Sequence, residues 1–458
     1  MGAHPGLSGI VALPDGHDAF AARALLADAA EHTLDVRYYI WHNDMSGTLL
    51  YSALRRAADR DVQVRLLLDD NNTTGLDPVL AALDAHPNIE VRLFNPFRAR
   101  RWRLLGYLTD FKRLNRRMHN KSFTADGQAT IIGGRNVGDE YFGAGQDISF
   151  VDLDVIAVGP VVEEVTRDFE RYWTSGSAVP AAQVVAPTVA SATVDIGAAA
   201  QRVEHDPVGA KYIDAVARAP FVRDLLEGNL RLEWANVHMV SDDPAKGLAR
   251  APDDTLLWTR LKEIMDSPKR ELELVSPYFV PGAEGVNELT GLARAGVKIT
   301  VLTNALEATD VPAVHAGYAK RRKPLLAAGI TLYELKRLPG GRSARGSGLF
   351  GSSSSSLHAK TFAVDRARLF VGSFNFDPRS ARLNTEMGFV IDSPALGDVV
   401  ANACTQRVPE LSYKVSLTES GALQWTDGNQ RFTSEPGTSL GRRLLVRNLA
   451  LLPIEWLL

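Results

Sequence analysis

Apolar and polar positions change period in the same order at two places along the chain. "HTLDVRYYIW" (32–41) has alternating and β-branched apolar residues, which predicts a strand. "SGTLLYSALRRAADRDV" (46–62) carries apolar residues at helical spacing, and "VQVRLLLDD" (62–70) follows as a buried strand. Farther on, "RELELVSPYFVP" (270–281) is strand-like, "GVNELTGLARAG" (285–296) is helical and "VKITVLTN" (297–304) is a strand. Two β-α-β runs of this kind predict an α/β protein of two halves, each a sheet with helices on it.

A second repetition lies downstream of each run. "MHNKSFTADGQATIIGGRNV" (118–137) and "LHAKTFAVDRARLFVGSFNF" (357–376) both read His, any residue, Lys, four residues, Asp, six residues, Gly, two residues, Asn. The first copy supplies His119, Lys121, Asp126, Gly133 and Asn136, the second His358, Lys360, Asp365, Gly372 and Asn375. Val62 and Val297 are 235 positions apart and the two His 239, so motif and β-α-β run repeat together. Each motif predicts two strands joined by a turn, "KSFTAD" with "ATIIGG" and "KTFAVD" with "RLFVGS", the return strand opening into a loop. Asp126 and Asp365 are expected to fix the turns by local hydrogen bonds. The Ala/Ser/Pro-rich stretch after about residue 175 predicts the boundary: a first domain over 1–185, a linker over 186–205, and a second domain over 206–458.

Composition changes this picture little. With 458 residues, 45% hydrophobic and 23% charged, the chain can bury a large core, and a net charge of −3 predicts no polyanion partner. One cysteine, Cys404, excludes an intramolecular disulfide and a Cys-rich zinc site. The first residues lack the basic and apolar regions of a signal peptide, and no apolar run is long enough to span a bilayer.

The chemistry lies in the motifs. In a strand, residues i and i+2 share a face, so each His points with its Lys. Two halves packed face to face would join two His and two Lys. The lysines offer charge and donors to a phosphate. One imidazole can attack phosphorus while the other protonates the leaving oxygen from the opposite side. Asn136 and Asn375 can donate to non-bridging oxygens. A nucleophilic imidazole must be neutral, with its other nitrogen held by a carboxylate; Asp154 and Glu386 are the candidates. One His beside a Lys is poor ligand spacing for a metal.

The doubled motif resembles that of the phospholipase D superfamily. The resemblance implies two tandem α/β domains related by a pseudo-two-fold axis, each a mixed sheet flanked by helices, with one active site at their interface. It also implies a covalent phosphohistidine intermediate, with no metal or other cofactor. The acid of this motif lies 28 residues after the His, which selects Glu386; Asp154, 35 residues after His119, implies an insertion in the first half. The Ser that often follows the motif Gly is Ser373 in the second copy and Gly134 in the first.

A narrower resemblance rests on "LDVRYYIWHNDMSG", "RRMHNKSF", "GGRNVGDEYF", "SPYFVPG", "VPAVHAGYAKRRKPLL", "FNFDPRSARLNTE" and "LLPIEWLL". These stretches are similar to bacterial cardiolipin synthases of the C type, whose chains usually begin farther upstream. That implies phosphatidyl transfer from a phospholipid donor, phosphatidylethanolamine or phosphatidylglycerol, to phosphatidylglycerol. It implies His119 as nucleophile and His358 as general acid, although the motifs are too symmetric to separate the roles. On the same resemblance, Tyr39, His315, Tyr318 and Arg379 are expected to bind substrate.

Two segments bear on a lipid substrate. "RARRWRLLGYLTDFKRLNRRMHNK" (98–121) mixes nine basic residues with Trp, Tyr, Phe and Leu. It reads either as an amphipathic segment for an anionic membrane or as a solvated basic helix with a core-facing stripe. "SLGRRLLVRNLALLPIEWLL" (439–458) reads equally as an interfacial anchor or as a tail packed on the domain. "GRSARGSGLFGSSSSS" (341–356) is expected to be a lid or an unstructured connection. The expected partners are anionic and zwitterionic phospholipids at the surface of the inner membrane, on an unassigned side. No nucleic acid is expected, and the residues name no protein partner. Competing readings are a hydrolase that passes the phosphatidyl group to water, a nuclease and a non-catalytic lipid-binding scaffold.

Overall fold

A computed structural model describes residues 4–98, 100–144, 150–185, 194–265, 267–337 and 357–458. The strands of the first half are β1 (Ser8–Leu13), β2 (Thr33–Tyr38), β3 (Gln63–Asp69), β4 (Ile89–Phe94), β5 (Ser122–Ala125), β6 (Ala129–Gly133), β7 (Asp154–Val158) and β8 (Ala178–Pro180). Those of the second are β9 (Glu233–Ser241), β10 (Glu271–Val275), β11 (Lys298–Asn304), β12 (Thr331–Leu335), β13 (Thr361–Val364), β14 (Arg368–Gly372), β15 (Met387–Asp392), β16 (Ser412–Leu417), β17 (Leu423–Asp427) and β18 (Gln430–Phe432).

In the first half the pairing order is β8-β4-β3-β2-β5-β6-β7-β1, with β2, β3 and β4 parallel and the rest antiparallel. In the second it is β9-β15-β14-β13-β10-β11-β12-β16, again with three parallel strands, and β17 and β18 extend the edge. Strand β1 also pairs with β9, so the sheets join at the molecule's centre.

The predicted β-α-β runs form, with shorter ends. Helix Met45–Ala58 starts at Asp44, whose carboxylate accepts from the Gly47 N–H at 2.9 Å. Strand β10 stops at Val275 because Pro277 has no N–H to give a ladder. Leu34, Val36, Leu50 and Leu54 fill the first-half core; Leu272, Leu274, Val301 and Phe362 fill the second. A third cluster, including Ile132, Val155 and Val161 of one half and Val371, Phe389 and Ile391 of the other, glues the halves together.

The motif hairpins are β5–β6 and β13–β14. Asp126 (φ +52°) and Asp365 (φ +53°) sit at their turns in left-handed conformation. Their carboxylates reach farther than expected. Asp126 accepts from the N–H groups of Glu31, His32 and Thr33, and Asp365 from those of Lys269, Arg270 and Glu271. Each ties its hairpin to the start of the neighbouring strand, β2 or β10.

The expected boundary moves. Residues 186–193 of the expected linker lie outside the described residues. Residues 196–205 form the helix Ile196–His205, and helices Pro207–Ala217 and Pro220–Leu226 follow. All three pack on the first half rather than the second. Ile196, Tyr212 and Phe221 are buried in its core, and the Phe221 N–H donates to Asp18 at 2.9 Å. The second-half sheet begins at Glu233. The stretch 341–356, read as lid or connection, lies outside the described residues.

Candidate active site

The two motifs meet where the halves cross-pair. The His119 N–H donates to the Thr385 carbonyl, and the Thr385 N–H to the Arg117 carbonyl, at 2.8 and 2.9 Å. Reciprocally, the N–H groups of His358 and Ala359 donate to the Val151 carbonyl at 2.8 and 3.0 Å. Each motif histidine is thus held by backbone of the other half.

The carboxylates follow the same exchange. His119 Nδ1 is 2.8 Å from Glu386 Oε2, and His358 Nδ1 is 2.6 Å from Asp152 Oδ2. A carboxylate on Nδ1 places the neutral ring's proton there and leaves the Nε2 lone pair free. Glu386, counted from His358 in the sequence, stands against His119 of the other half. Asp154 is not the second acid. It is buried against Arg23, whose Nη2 lies 2.8 Å away, and accepts from the Arg135 N–H. Asp152, two residues earlier in "FVDLDV", takes the role because it sits in the connection that crosses to the second half, whereas Asp154 opens β7 inside the first.

The Gly134/Ser373 difference has a cause in these acids. A Cβ on Gly134 would lie 2.1 Å from Asp152 Oδ1, so the space of a side chain there holds the carboxylate. In the second half the Ser373 hydroxyl donates to Glu386 Oε2 at 2.5 Å, and Ser380 donates to Oε1 at 2.9 Å.

Electrostatics separates the two acids. Burial pushes the Glu386 carboxyl up to about 7, against the pull of Lys121. Asp152, equally buried, is held well below the usual carboxylate range by His358, Lys360 and Arg135. Burial and the two lysines depress both imidazoles, His119 well below its ordinary value and His358 to about 3. Lys121 is lowered strongly and Lys360 to about 8, mainly by burial. Lys360 acts on His119 and Lys121 on His358, so the four groups form one site. Lys121 Nζ donates to the His119 carbonyl at 2.6 Å, and Lys360 Nζ, bonded to the His358 carbonyl, lies 3.1 Å from His358 Nε2.

Aromatic rings wall the imidazoles. Tyr39 meets His119 edge-on at 4.9 Å; Tyr141 and Phe150 flank His358 at 5.2 and 5.3 Å. Tyr141 falls in "GGRNVGDEYF", one of the stretches that carry the narrower resemblance, whereas Phe150 has no sequence signal beyond lying between motif and acid. The Asn136 amide donates to the Tyr141 hydroxyl and accepts from the Ile40 N–H. Asn375 Oδ1 is buried with no hydrogen-bond partner among the described residues.

Of the expected substrate contacts, Tyr39 lies in the site. His315 and Tyr318 do not point to it; they belong to a buried cluster. Arg322 bonds His315 and pairs with Glu334 and Glu435, and the Tyr318 hydroxyl donates to Glu334. Arg379 is a brace, its guanidinium donating to the Asn115 and Leu457 carbonyls at 3.0 and 3.1 Å.

Two imidazoles with crossed carboxylates and two lysines can attack a phosphodiester, protonate its leaving group and balance its charge. The family model described as "Cardiolipin synthase, PLD-like domain" matches residues 24–173 and 261–407. The chain belongs to this family. It is an enzyme of the phospholipase D superfamily. It is 51% identical to "Cardiolipin synthase C" of Escherichia coli (strain K12) over 99% of this chain and 97% of that relative. It is 24% identical to "Cardiolipin synthase B" of the same strain over 83% of this chain and 75% of the relative. Among solved structures, phosphatidylserine synthase of Haemophilus influenzae Rd KW20 superposes with a TM-score of 0.59 at 13% identity, covering 99% of this chain and 97% of that one, a likeness of fold.

Proposed function

We propose that the protein is a cardiolipin synthase that transfers a phosphatidyl group through phosphatidyl-His119. The observation that carries this is the crossed pair His119–Glu386 and His358–Asp152 in one site, in a chain alike over nearly its whole length to a cardiolipin synthase.

In the first step His119 Nε2 attacks the phosphorus of a phospholipid, phosphatidylethanolamine or phosphatidylglycerol. The bond from phosphorus to the headgroup oxygen breaks, and that oxygen takes a proton from His358 Nε2. The free headgroup alcohol leaves. In the second step a hydroxyl of phosphatidylglycerol attacks the phosphohistidine and His358 Nε2 accepts its proton. The P–N bond breaks and its electron pair returns to His119. The product is cardiolipin, and both rings regain their starting states. Lys121 and Lys360 balance the charge of the non-bridging oxygens and Asn375 can donate to them, while Asn136 holds Tyr141 and Ile40.

The unequal acids support this assignment of roles. An ionised Asp152 stabilises the imidazolium that a general acid must form. Glu386, titrating near neutrality, gives His119 little such help and leaves it a neutral nucleophile. Burial and the lysines disfavour an imidazolium, and the charge of a phosphodiester anion would offset the lysines and raise His358. No helix among the described residues is long and apolar enough to cross a bilayer.

The test is incubation of purified protein with vesicles of headgroup-labelled phosphatidylethanolamine and phosphatidylglycerol. Cardiolipin with released headgroup is the expected result. Phosphatidic acid instead would make water the acceptor, and turnover of neither lipid would overturn the reading.

A further inference from the structure

The segment before His119 is folded inside out. Four of its arginines point into the protein: Arg100 pairs with Asp70 and Asp77, Arg103 with Asp70, Arg113 with Asp110 and Arg117 with Asp69. Five of its apolar residues point away from it, while Leu114 is buried and Tyr107 packs on Phe97. Trp102 is 69% exposed, Leu104 75% and Leu108 83%, with Leu105 and Phe111 also exposed. Helix Arg103–Thr109 buries none of its residues. Neither reading of the sequence had this arrangement, because both set the basic residues outward.

A second exposed apolar group lies at the other end of the chain. Helix Leu440–Ala450 buries Val446 against Leu306 and Ala316. Leu440, Leu444 and Leu445 remain exposed, as do Leu451, Leu452 and Trp456.

The segments that carry these groups are far apart in sequence but are tied together by Arg379. Its guanidinium reaches Asn115, next to Leu114, on which Gly106 of the first helix packs, and the Leu457 carbonyl beside Trp456. Its charge also acts on both Tyr107 and His119. On the other side Arg442 donates to the Thr309 carbonyl, and the adjoining Asp310 acts on Lys360. The two apolar groups therefore flank the same site. Arg98, Lys112 and Arg447, exposed on these segments, form no ion pair among the described residues.

We infer that helix Arg103–Thr109 and the segment Leu440–Trp456 together form one docking face that seats on the surface of a bilayer carrying anionic phospholipid, with the catalytic site opening onto it. Exposed Trp and Leu beside unpaired cations match such a surface, because apolar side chains enter the acyl boundary while cations meet the headgroups. The arrangement delivers a phosphodiester at headgroup depth to His119 without extracting the lipid. This rests on the lipid-transfer reading above.

The test is co-sedimentation of the full chain with phosphatidylethanolamine/phosphatidylglycerol vesicles, beside turnover of a short-chain phosphatidylglycerol held below its micelle concentration. Three variants are compared: Leu104→Ser with Leu108→Ser, Leu451→Ser with Trp456→Ser, and all four changes. Each pair should weaken vesicle binding about tenfold and the set about a hundredfold, since each removes apolar area from the contact. Short-chain turnover should be unchanged, which also shows that the variants fold. Vesicle binding by the four-fold variant at the wild-type level would overturn the face. So would loss of a wild-type dimer in that variant with vesicle binding intact, which would make a second copy the occupant. Loss confined to vesicles, in a protein that makes no cardiolipin, would uphold the face and remove the transfer reading.

Discussion

The two half-sites share every reacting group and differ in what stands behind it. Behind His119 stands Glu386, held by Ser373 and Ser380 and poised near neutrality. Behind His358 stands Asp152, one carbon shorter, seated in the space that Gly134 leaves and kept ionised by the cations around it. Duplication of one motif thus supplies two imidazoles, and the acids supplied from the opposite halves make them unlike. The exchange also means that neither half can complete a histidine–carboxylate pair alone.

The largest effects should come from the histidines. His119→Ala should lower transfer by about 10⁴-fold or more, as loss of a nucleophile does, and His358→Ala by about 10²–10⁴-fold, as loss of acid catalysis does. They should part on a donor with a 4-nitrophenolate leaving group, which needs no proton. His358→Ala should then recover phosphohistidine formation, and His119→Ala should not.

Asp152→Asn should cost about 10²–10⁴-fold in kcat, because a neutral amide cannot stabilise the imidazolium and can hold the ring in the wrong tautomer. Glu386→Gln should cost about tenfold, since the carboxyl it replaces is already half neutral at pH 7. Equal losses would break the comparison. Gly134→Ser should resemble Asp152→Asn, because its Cβ displaces the carboxylate from His358; Ser373→Gly should be milder than either.

Asp154 sharpens the contrast in a different observable. Asp154→Ala strands Arg23 and Arg135 in the core and should destabilise the fold by about 3–5 kcal/mol in urea unfolding. Activity per folded molecule should stay near wild type, unlike that of Asp152→Asn.

The smallest effect is a pH dependence of stability. Glu386 is raised to about 7 and its neighbours Asp242 and Asp377 to about 6, all by burial. Between the ordinary carboxyl range and these values the folded state binds more protons than the unfolded one. The stability they contribute at low pH is therefore lost as pH rises from about 5 to 7. The depressed His119 and His358 imidazoles act in the opposite sense over the same window, so the carboxyl contribution is read by difference: the stability of the wild type relative to Glu386→Gln, from urea unfolding at pH 5, 6, 7 and 8, should fall as pH rises.

The sequence showed the halves and the motif residues because they obey local rules: strand alternation, helical spacing and two matched sets of offsets. It did not show which acid serves which ring. Asp152 and Asp154 share one face at i and i+2, and only the path of the chain across the interface separates them. The inward arginines before His119 were hidden for a like reason. Their partners Asp69, Asp70 and Asp77 lie at and beyond the end of β3, between 23 and 48 positions away. The boundary was misplaced because helices 196–226 pack by tertiary contact on the first half, which the low-complexity stretch before them does not reveal.

The most direct measurement is mass-spectrometric mapping of the covalent adduct. The wild type, His119→Ala and His358→Ala are each mixed with the 4-nitrophenyl phosphatidyl donor without acceptor and quenched under conditions that preserve phosphohistidine. The account predicts a phosphatidyl group on His119 in the wild type and in His358→Ala, and none in His119→Ala. An adduct on His358, or one that survives His119→Ala, would contradict it.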